Sequence, residues 1–403
     1  MFATLVTAAT NAILGKTENV ARRFLLELKY EGADISADVA PFVISFSYAD
    51  RTDKIDEISI VFEDTHGLWS NSWWPERGAK LAAKFRVENW FNPGDSFERD
   101  CGQFEIDDFS SSGPPSTATI KAVAVGISSS IRRQQNDKSW ENTEIKLIAQ
   151  DIADRNGFEL KWYSNYNPTL ERWQQNSQSD LACLKAICDY AGLILKITDK
   201  ALVIFRGEEF DKTKPEITIR KVGDGVKIYS FNTNSSDIYS ACLVTYYDPT
   251  QRKFLEYLFK PDGISGLRGG GSAKKEKAGP TSKQVINQET RMVETVAIPK
   301  AKKAEPAEIT EPEIGQVLKI NRRFTSLAEA EEMAKAALRN KNMQQVKGSM
   351  GLMGRPDLYS GLNFTAQGFG RWDSSVYSLE EVTHDYSKSG YNSSIQFRGI
   401  LGY

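Results

Sequence analysis

The sequence predicts an α+β protein, with two antiparallel β regions flanking an α/β insert and one further helix in the C-terminal half. Three observations predict it. Residues 20–126 carry apolar side chains at every second position in successive short runs, which is the period of a strand with one face on a core. Residues 135–205 switch to apolar spacings of three and four, the helical period. Period-two runs then return on both sides of a stretch rich in Gly, Lys, Glu and Pro. At 403 residues the chain is also too long for one core, because domains usually run to roughly 100–200 residues.

The chain starts with an N-terminal segment, residues 1–21. Its stretch MFATLVTAATNAILG has no Lys or Arg ahead of the apolar part, so it makes a poor secretion signal and is too short to span a bilayer. A short docking helix or a frayed end is expected. The strands of the first region follow. Phe24, Leu26, Leu28 and Tyr30 alternate, as do Phe42, Ile44, Phe46 and Tyr48, and then Ile58, Ile60 and Phe62. Further strands are expected at Lys84–Glu88, Phe104–Ile106 and Ile120–Ala124. Strands in series, split by Gly, Pro and Asp turns, suggest an antiparallel sandwich or barrel.

The insert holds two helices. Ile145, Ile148, Ala149, Ile152 and Ala153 form one apolar stripe, ending at Gly157. Leu181, Leu184, Ile187, Cys188 and Ala191 form another, ending at Gly192. Glycine just past the last periodic residue stops a helix because it takes the left-handed conformation without a Cβ clash. A strand follows each helix, Phe158–Trp162 and Leu193–Ile197, and the second turns at Asp199 and Lys200 into Leu202–Phe205.

Strands resume at Val226–Ile228 and Leu243–Tyr246. From residue 263 the composition breaks into GLRGGGSAKKEKAGPTSK and later PKAKKAEPAEITEPE. With little to bury, this reads as a flexible excursion, Arg291–Val296 being an exception that could pair as an edge strand. Order returns at Val317–Ile320. Ser326 and Glu329 have capping-box spacing, opening a helix whose stripe is Leu327, Ala330, Ala334, Ala337 and Leu338. Strands around Leu362–Ala366, Val376–Tyr386 and Ser393–Phe397 close the chain, the last two joined by a turn with Gly390 at the left-handed position.

Chemistry is sparse. The formal net charge of −2 leaves no footprint for general nucleic-acid binding, which needs a clustered basic face. Cys101, Cys183, Cys188 and Cys242 lack zinc-knuckle spacing and are expected to be reduced core thiols. Gly15-Lys16-Thr17 resembles the end of a phosphate-binding loop, but Thr10 stands where that loop needs Gly. His66 lies in a turn-like stretch, and His384 alternates with Val382 and Tyr386 in a strand. Neither belongs to a metal-ligand motif, so His384 is expected to be a packed or hydrogen-bonded sheet residue. No G-x-S-x-G occurs, and Gly368-Phe369-Gly370 is expected to make a turn. Trp69, Trp73, Trp74 and Trp90 cluster in sequence. They could form an aromatic core under a long loop, a subunit interface or a sugar platform. A glycosidase needs only two carboxylates, and the 53 Asp and Glu could supply them. The expectation is nonetheless no enzyme, with no catalytic, cofactor-binding or metal residue and no cofactor.

With these motifs placed, the chain resembles the late-control D family of phage tail proteins, which are similar to the baseplate hubs of contractile tails and to the hub part of VgrG spikes. One local pattern is strand Ile58–Phe62 with Asp64, Trp69, Pro75 and Gly78, then strand Leu81–Val87. A second is Thr143–Ile148, Ile152, Ala153 and Gly157, followed by Asp180, Leu181, Leu184, Ile187 and Tyr190–Gly192. The third runs Ser326–Ala330, Gly354–Leu358, Gly361, Gly368–Gly370, Tyr377, Val382, His384, Gly390 and Tyr391.

The resemblance implies two antiparallel β-barrel-like domains per chain and a hub-type homotrimer. Six barrels would then match a sixfold tail tube above while the threefold axis meets a central spike below. The domains expected on this basis are 1–21, an N-terminal segment; 22–130, the first barrel-like domain; and 131–207, the α/β insert. The second barrel-like domain is divided into 208–262 and 315–403, with helix 326–340, around the excursion 263–314. The implied function is structural, in the virion or tail-particle baseplate, after assembly in the host bacterial cytoplasm. Implied partners are the tail-tube and central spike proteins, and also tape-measure and baseplate wedge proteins, with no membrane and no specific nucleic acid. The competing expectation is a cell-wall or polysaccharide hydrolase, or a carbohydrate-binding module, of the tail tip.

Overall fold

A computed structural model describes residues 21–52, 54–124, 131–132, 134–198, 201–234, 238–248, 253–261, 285–286, 293–294, 316–324 and 327–403. The capping box at Ser326, the turn at Asp199 and Lys200, Gly15-Lys16-Thr17 and nearly all of the excursion lie outside these residues. Of the excursion, Val285–Ile286 pairs antiparallel with Val293–Glu294, inside the stretch expected as an edge strand.

The period-two runs form strands, but they do not form two barrels. Both β regions belong to one 13-stranded sheet with an open strand path. Starting at one edge, Val226–Thr233 pairs with Val346–Met353, then come Gly390–Gly399 and Val376–Ser387. Val376–Ser387 pairs in turn with Val43–Arg51 of the first region, in the register His384↔Tyr48. The path continues through Glu57–Glu63, Thr117–Ala124, Ser96–Ser112 and Lys80–Glu88 to Arg23–Tyr30.

The expected closure fails for a reason visible in the ladder. The edge of Val43–Arg51 on which the first region could close is already taken by Val376–Ser387. That strand in turn has its other edge filled by Gly390–Gly399. Arg23–Tyr30 therefore finds no free backbone edge on either of these two strands. Side chains fill the gap instead: the Phe24 and Tyr386 rings stack at 4.2 Å and 8°. With no closed barrel among the described residues, the six-barrel trimeric ring expected above loses its building blocks.

Residues expected in the second barrel also divide. Tyr239–Asp248 lies between Lys253–Phe259 and Gln316–Asn321 in a separate three-stranded sheet. Helix Leu327–Asn342 covers this sheet with Ala330, Met333, Ala334 and Leu338, all buried against Cys242 and Val244.

The insert has its own core. Helix Ile145–Asn156 buries the five residues of its expected stripe and ends at Gly157, φ 76°. Helix Asp180–Ala191 is capped by Ser179, whose hydroxyl accepts from the Ala182 amide at 3.2 Å, and ends at Gly192, φ 67°. Gly192 has a second constraint, because a Cβ there would lie 2.2 Å from the Cβ of Ala336. The insert sheet runs Ile194–Ile197, Ala201–Phe205, Glu159–Tyr163, with the last two strands parallel. A polar ribbon, Gln135–Glu144 with Thr169–Ser179, completes it. All four cysteines are free and buried.

Candidate functional site

Side chains from distant parts of the chain converge in three places. The first is the seam where the first region meets the C-terminal strands. His384 is 1% exposed. Its ring lies against Tyr48 and Phe85, and its Nδ1 is 2.7 Å from the Tyr391 hydroxyl. Burial, assisted by the Arg99 guanidinium, lowers its pKa to about 3, so the imidazole stays neutral and serves packing. Arg99 donates to the Pro356 carbonyl at 3.1 and 2.8 Å, and also to the Leu358 carbonyl. The Trp90 indole donates to the Gly354 carbonyl, and the Arg355 amide donates to Ser393 Oγ at 2.9 Å. Motifs more than 250 residues apart in the chain thus close on one another.

The second place joins the insert to the main sheet. Lys196 Nζ donates to Asp50 Oδ1 at 2.8 Å and to Ser360 Oγ at 2.6 Å. The Ser360 amide donates to Asp50 Oδ2 at 3.0 Å. Asp56 lies beside this group and accepts from the Arg51 amide at 2.9 Å. Burial and the charge on Asp50 push the Asp56 pKa up to about 7, whereas Lys196 and Ser360 overcome burial to hold Asp50 low. Two carboxylates with divergent affinity for protons are what a glycosidase uses. Here, however, Asp50 and Asp56 are 5% and 9% exposed, and structural donors occupy them. The arrangement is that of a junction.

The third place separates the tryptophans. Trp69 is buried, stacked on Phe62 at 4.0 Å, with Trp73 edge-on at 5.5 Å. Trp74 is 60% exposed and meets Phe109 edge-on. Trp90 belongs to the seam, against Tyr391. The four do not form one platform.

Gly368 and Gly370 take φ 90° and 74° in a turn closed by Asp373, which accepts from the Gly368 and Phe369 amides at 2.9 and 2.7 Å. His66 stands in an exposed turn. Among the described residues there is no group of three or more His, Cys, Asp or Glu that could hold a metal ion.

The Asp50 junction escaped sequence reasoning, and so did two further features. Asp180 is 1% exposed and accepts from Asn136, Arg155, Asn156 and Gln175 at 2.7–2.9 Å. Asp211, on the short helix Gly207–Asp211, pairs with Arg339 at 2.6 Å and Arg398 at 2.8 Å. It ties helix Leu327–Asn342 to the C-terminal strand. Each is one acid at the meeting point of donors that are distant in the chain.

No family model and no curated protein matches this sequence. Solved structures do match its fold. The tail protein from Neisseria meningitidis MC58 aligns with TM-score 0.60 at 10% identity, over 94% of this chain and 98% of that one. The prophage MuSo2 43 kDa tail protein from Shewanella oneidensis aligns with TM-score 0.59 at 12% identity, over 92% and 97%. The E. coli c3393 protein is a component of the type VI secretion system and is similar to the T4 bacteriophage tail proteins gp27 and gp5. It aligns with TM-score 0.53 at 9% identity, over 93% of this chain and 78% of that one. The chain therefore shares the fold of phage tail proteins and of a type VI secretion component.

Proposed function

We propose that this chain is a baseplate hub protein, of the late-control D kind, in a contractile phage tail or a tail-like injection particle. There it joins the tail tube to the central spike. The observation that carries this reading is the end-to-end fold likeness, 94% of this chain on 98% of a tail protein. Fold likeness is an analogy rather than a mechanism, and the surface adds a physical argument in the same direction.

Among the described residues, Val226–Thr233 is an edge strand of the main sheet, bonded on one side only. It exposes 71% of Ile228 and 43% of Tyr229, and Val222 just before it is 86% exposed. An open edge carrying large apolar residues invites strand pairing with another chain. A structural protein that works inside an assembly has such edges covered there. The role is structural and not catalytic, and it is exercised within the particle.

The test is co-expression with the tube and spike proteins encoded nearby, followed by pull-down and imaging. Capture of both partners supports the reading. Capture of neither, with measurable glycan cleavage by the purified protein, overturns it.

A further inference from the structure

A cleft of about 710 Å³ opens where the first region meets the C-terminal strands. Lys227, Met353 and Asn392 line it from three neighbouring strands, Val226–Thr233, Val346–Met353 and Gly390–Gly399. Arg22, Phe24 and Trp90 of the first region and the turn at Ser387–Gly390 complete the lining. Adjacent strands lie about 4.8 Å apart, so three of them span roughly 10 Å, the length of about three residues of extended chain.

The charge around this cleft has one sign. Arg22, Lys227 and Lys388 contribute three cations, and no Asp or Glu lines it. Among the described residues none of the three pairs with a carboxylate. The Arg22 guanidinium lies over the Trp90 ring, 5.5 Å from its centroid, and donates to the Met353 thioether at 3.1 Å, a weak acceptor. Lys227 Nζ donates to the Asn392 side-chain carbonyl, and Lys388 is exposed on the turn. Like charges set among the apolar and aromatic walls of a cleft focus the field there and draw in an anion.

We infer that this cleft is a docking site for an acidic, extended segment of a partner protein, whose carboxylates meet Arg22, Lys227 and Lys388. Charge complementarity decides the class of occupant. Nucleic acid calls for a broad basic face, and this chain carries a net charge of −2. The guanidinium fork that grips a phosphate bidentately is here laid against Trp90 and Met353. A lysine ammonium is a compact point charge on a flexible stem, which suits successive carboxylates along a chain. An acidic run also repels itself and is extended before it binds. The site goes beyond the hub role and does not rest on it.

The test uses the full chain at pH 7 and low salt, titrated calorimetrically with acetyl-hexaglutamate amide. Acetyl-hexaglutamine amide is the uncharged control, and single-stranded oligothymidylate is the phosphate arm. Saturable binding of the hexaglutamate alone is expected, weakening as salt rises. Lys227→Glu and Lys388→Glu should each weaken it about five- to tenfold. Lys146→Glu, on the insert and outside the cleft, should leave it unchanged. All three lysines are exposed, and circular dichroism checks that the variants keep the fold. The inference is overturned by no saturable binding of hexaglutamate, by equal binding of the oligothymidylate or the hexaglutamine, or by an equal loss in Lys146→Glu. Self-association of the chain that Lys388→Glu abolishes, seen by light scattering, would put a second copy in the cleft and overturn it too.

Discussion

Lys196 and Asp50 stand 146 residues apart in the chain and 2.8 Å apart in space. The contact runs from Ile194–Ile197, an edge strand of the insert sheet, to Val43–Arg51 of the main sheet. Ser360 bonds to both partners, so three separate parts of the sequence meet at one charge pair. Removing the ammonium leaves Asp50 buried without the counter-charge that holds its pKa low. Breaking a buried pair in this way costs about 3–5 kcal/mol. Lys196→Met should therefore lower stability by that order in urea unfolding. The double variant Lys196→Met/Asp50→Asn should recover more than half of the loss, because no unpaired charge then remains at Asp50.

Asp56 gives this junction a pH dependence of definite sign. Its folded pKa of about 7 lies above the unfolded value of about 3.9. The folded state thus binds the proton more tightly. The resulting stability is fully present below about pH 4 and is lost as pH rises through 7. Asp56→Asn keeps an acceptor for the Arg51 amide but cannot ionise. It should be more stable than the parent at pH 8 by about 1–3 kcal/mol, and the gain should vanish towards pH 4. Melting temperatures of the two proteins across this range are the measurement.

The local parts of this fold were legible because each is written in neighbouring residues. The insert helices end at Gly157 and Gly192 as their stripes indicate. The ribbon Gln135–Glu144 and Thr169–Ser179 gave no signal, since it buries little beyond Trp140, Leu170 and Gln175 and so lacks an alternating face. The merged sheet was hidden for a different reason. Pairing of Val43–Arg51 with Val376–Ser387 is a choice of partner across more than 300 residues, and periodicity says only that each strand has two faces. The Asp50, Asp180 and Asp211 centres share that difficulty. In sequence each is one acid among 53, and its donors converge only after folding. The tryptophan run was half legible: its aromatic character was plain, but proximity in sequence could not show that Trp90 leaves the group.

Asp180 holds the insert together by a different principle from Asp50. Its carboxylate accepts from four side chains on the polar ribbon and the first insert helix. Burial raises its pKa, but the hydrogen bonds from Gln175, Asn156 and Asn136, with the charge of Arg155, lower it overall. Its contribution is therefore present above the unfolded value of about 3.9 and is lost as pH falls below it. Asp180→Ala strands four donors, one of them a guanidinium. It should cost about 3 kcal/mol or more at pH 7. Hydrogen exchange should show the ribbon opening before the main sheet does.

His384 provides the last prediction. Its ring fills the seam between Tyr48, Phe85 and Tyr391, so truncation opens a cavity and leaves the buried Tyr391 hydroxyl short of its nearest partner. His384→Ala should cost about 2–4 kcal/mol, more than the 1–2 kcal/mol expected of an ordinary sheet position. The pH profile distinguishes this role from a catalytic or metal-binding one. With a folded pKa of about 3 against about 6.5 when unfolded, neutral His384 stabilises the fold fully above pH 6.5. That stability is lost as pH falls towards 3, amounting to about 2 kcal/mol by pH 5. In His384→Gln, which cannot take up a proton, the loss from this source disappears and the acid limb of the melting curve flattens. NMR of the wild-type ring should show no titration between pH 8 and 4. A His384 signal that titrates near 6.5 would place the imidazole in contact with solvent and remove it from the core of the seam.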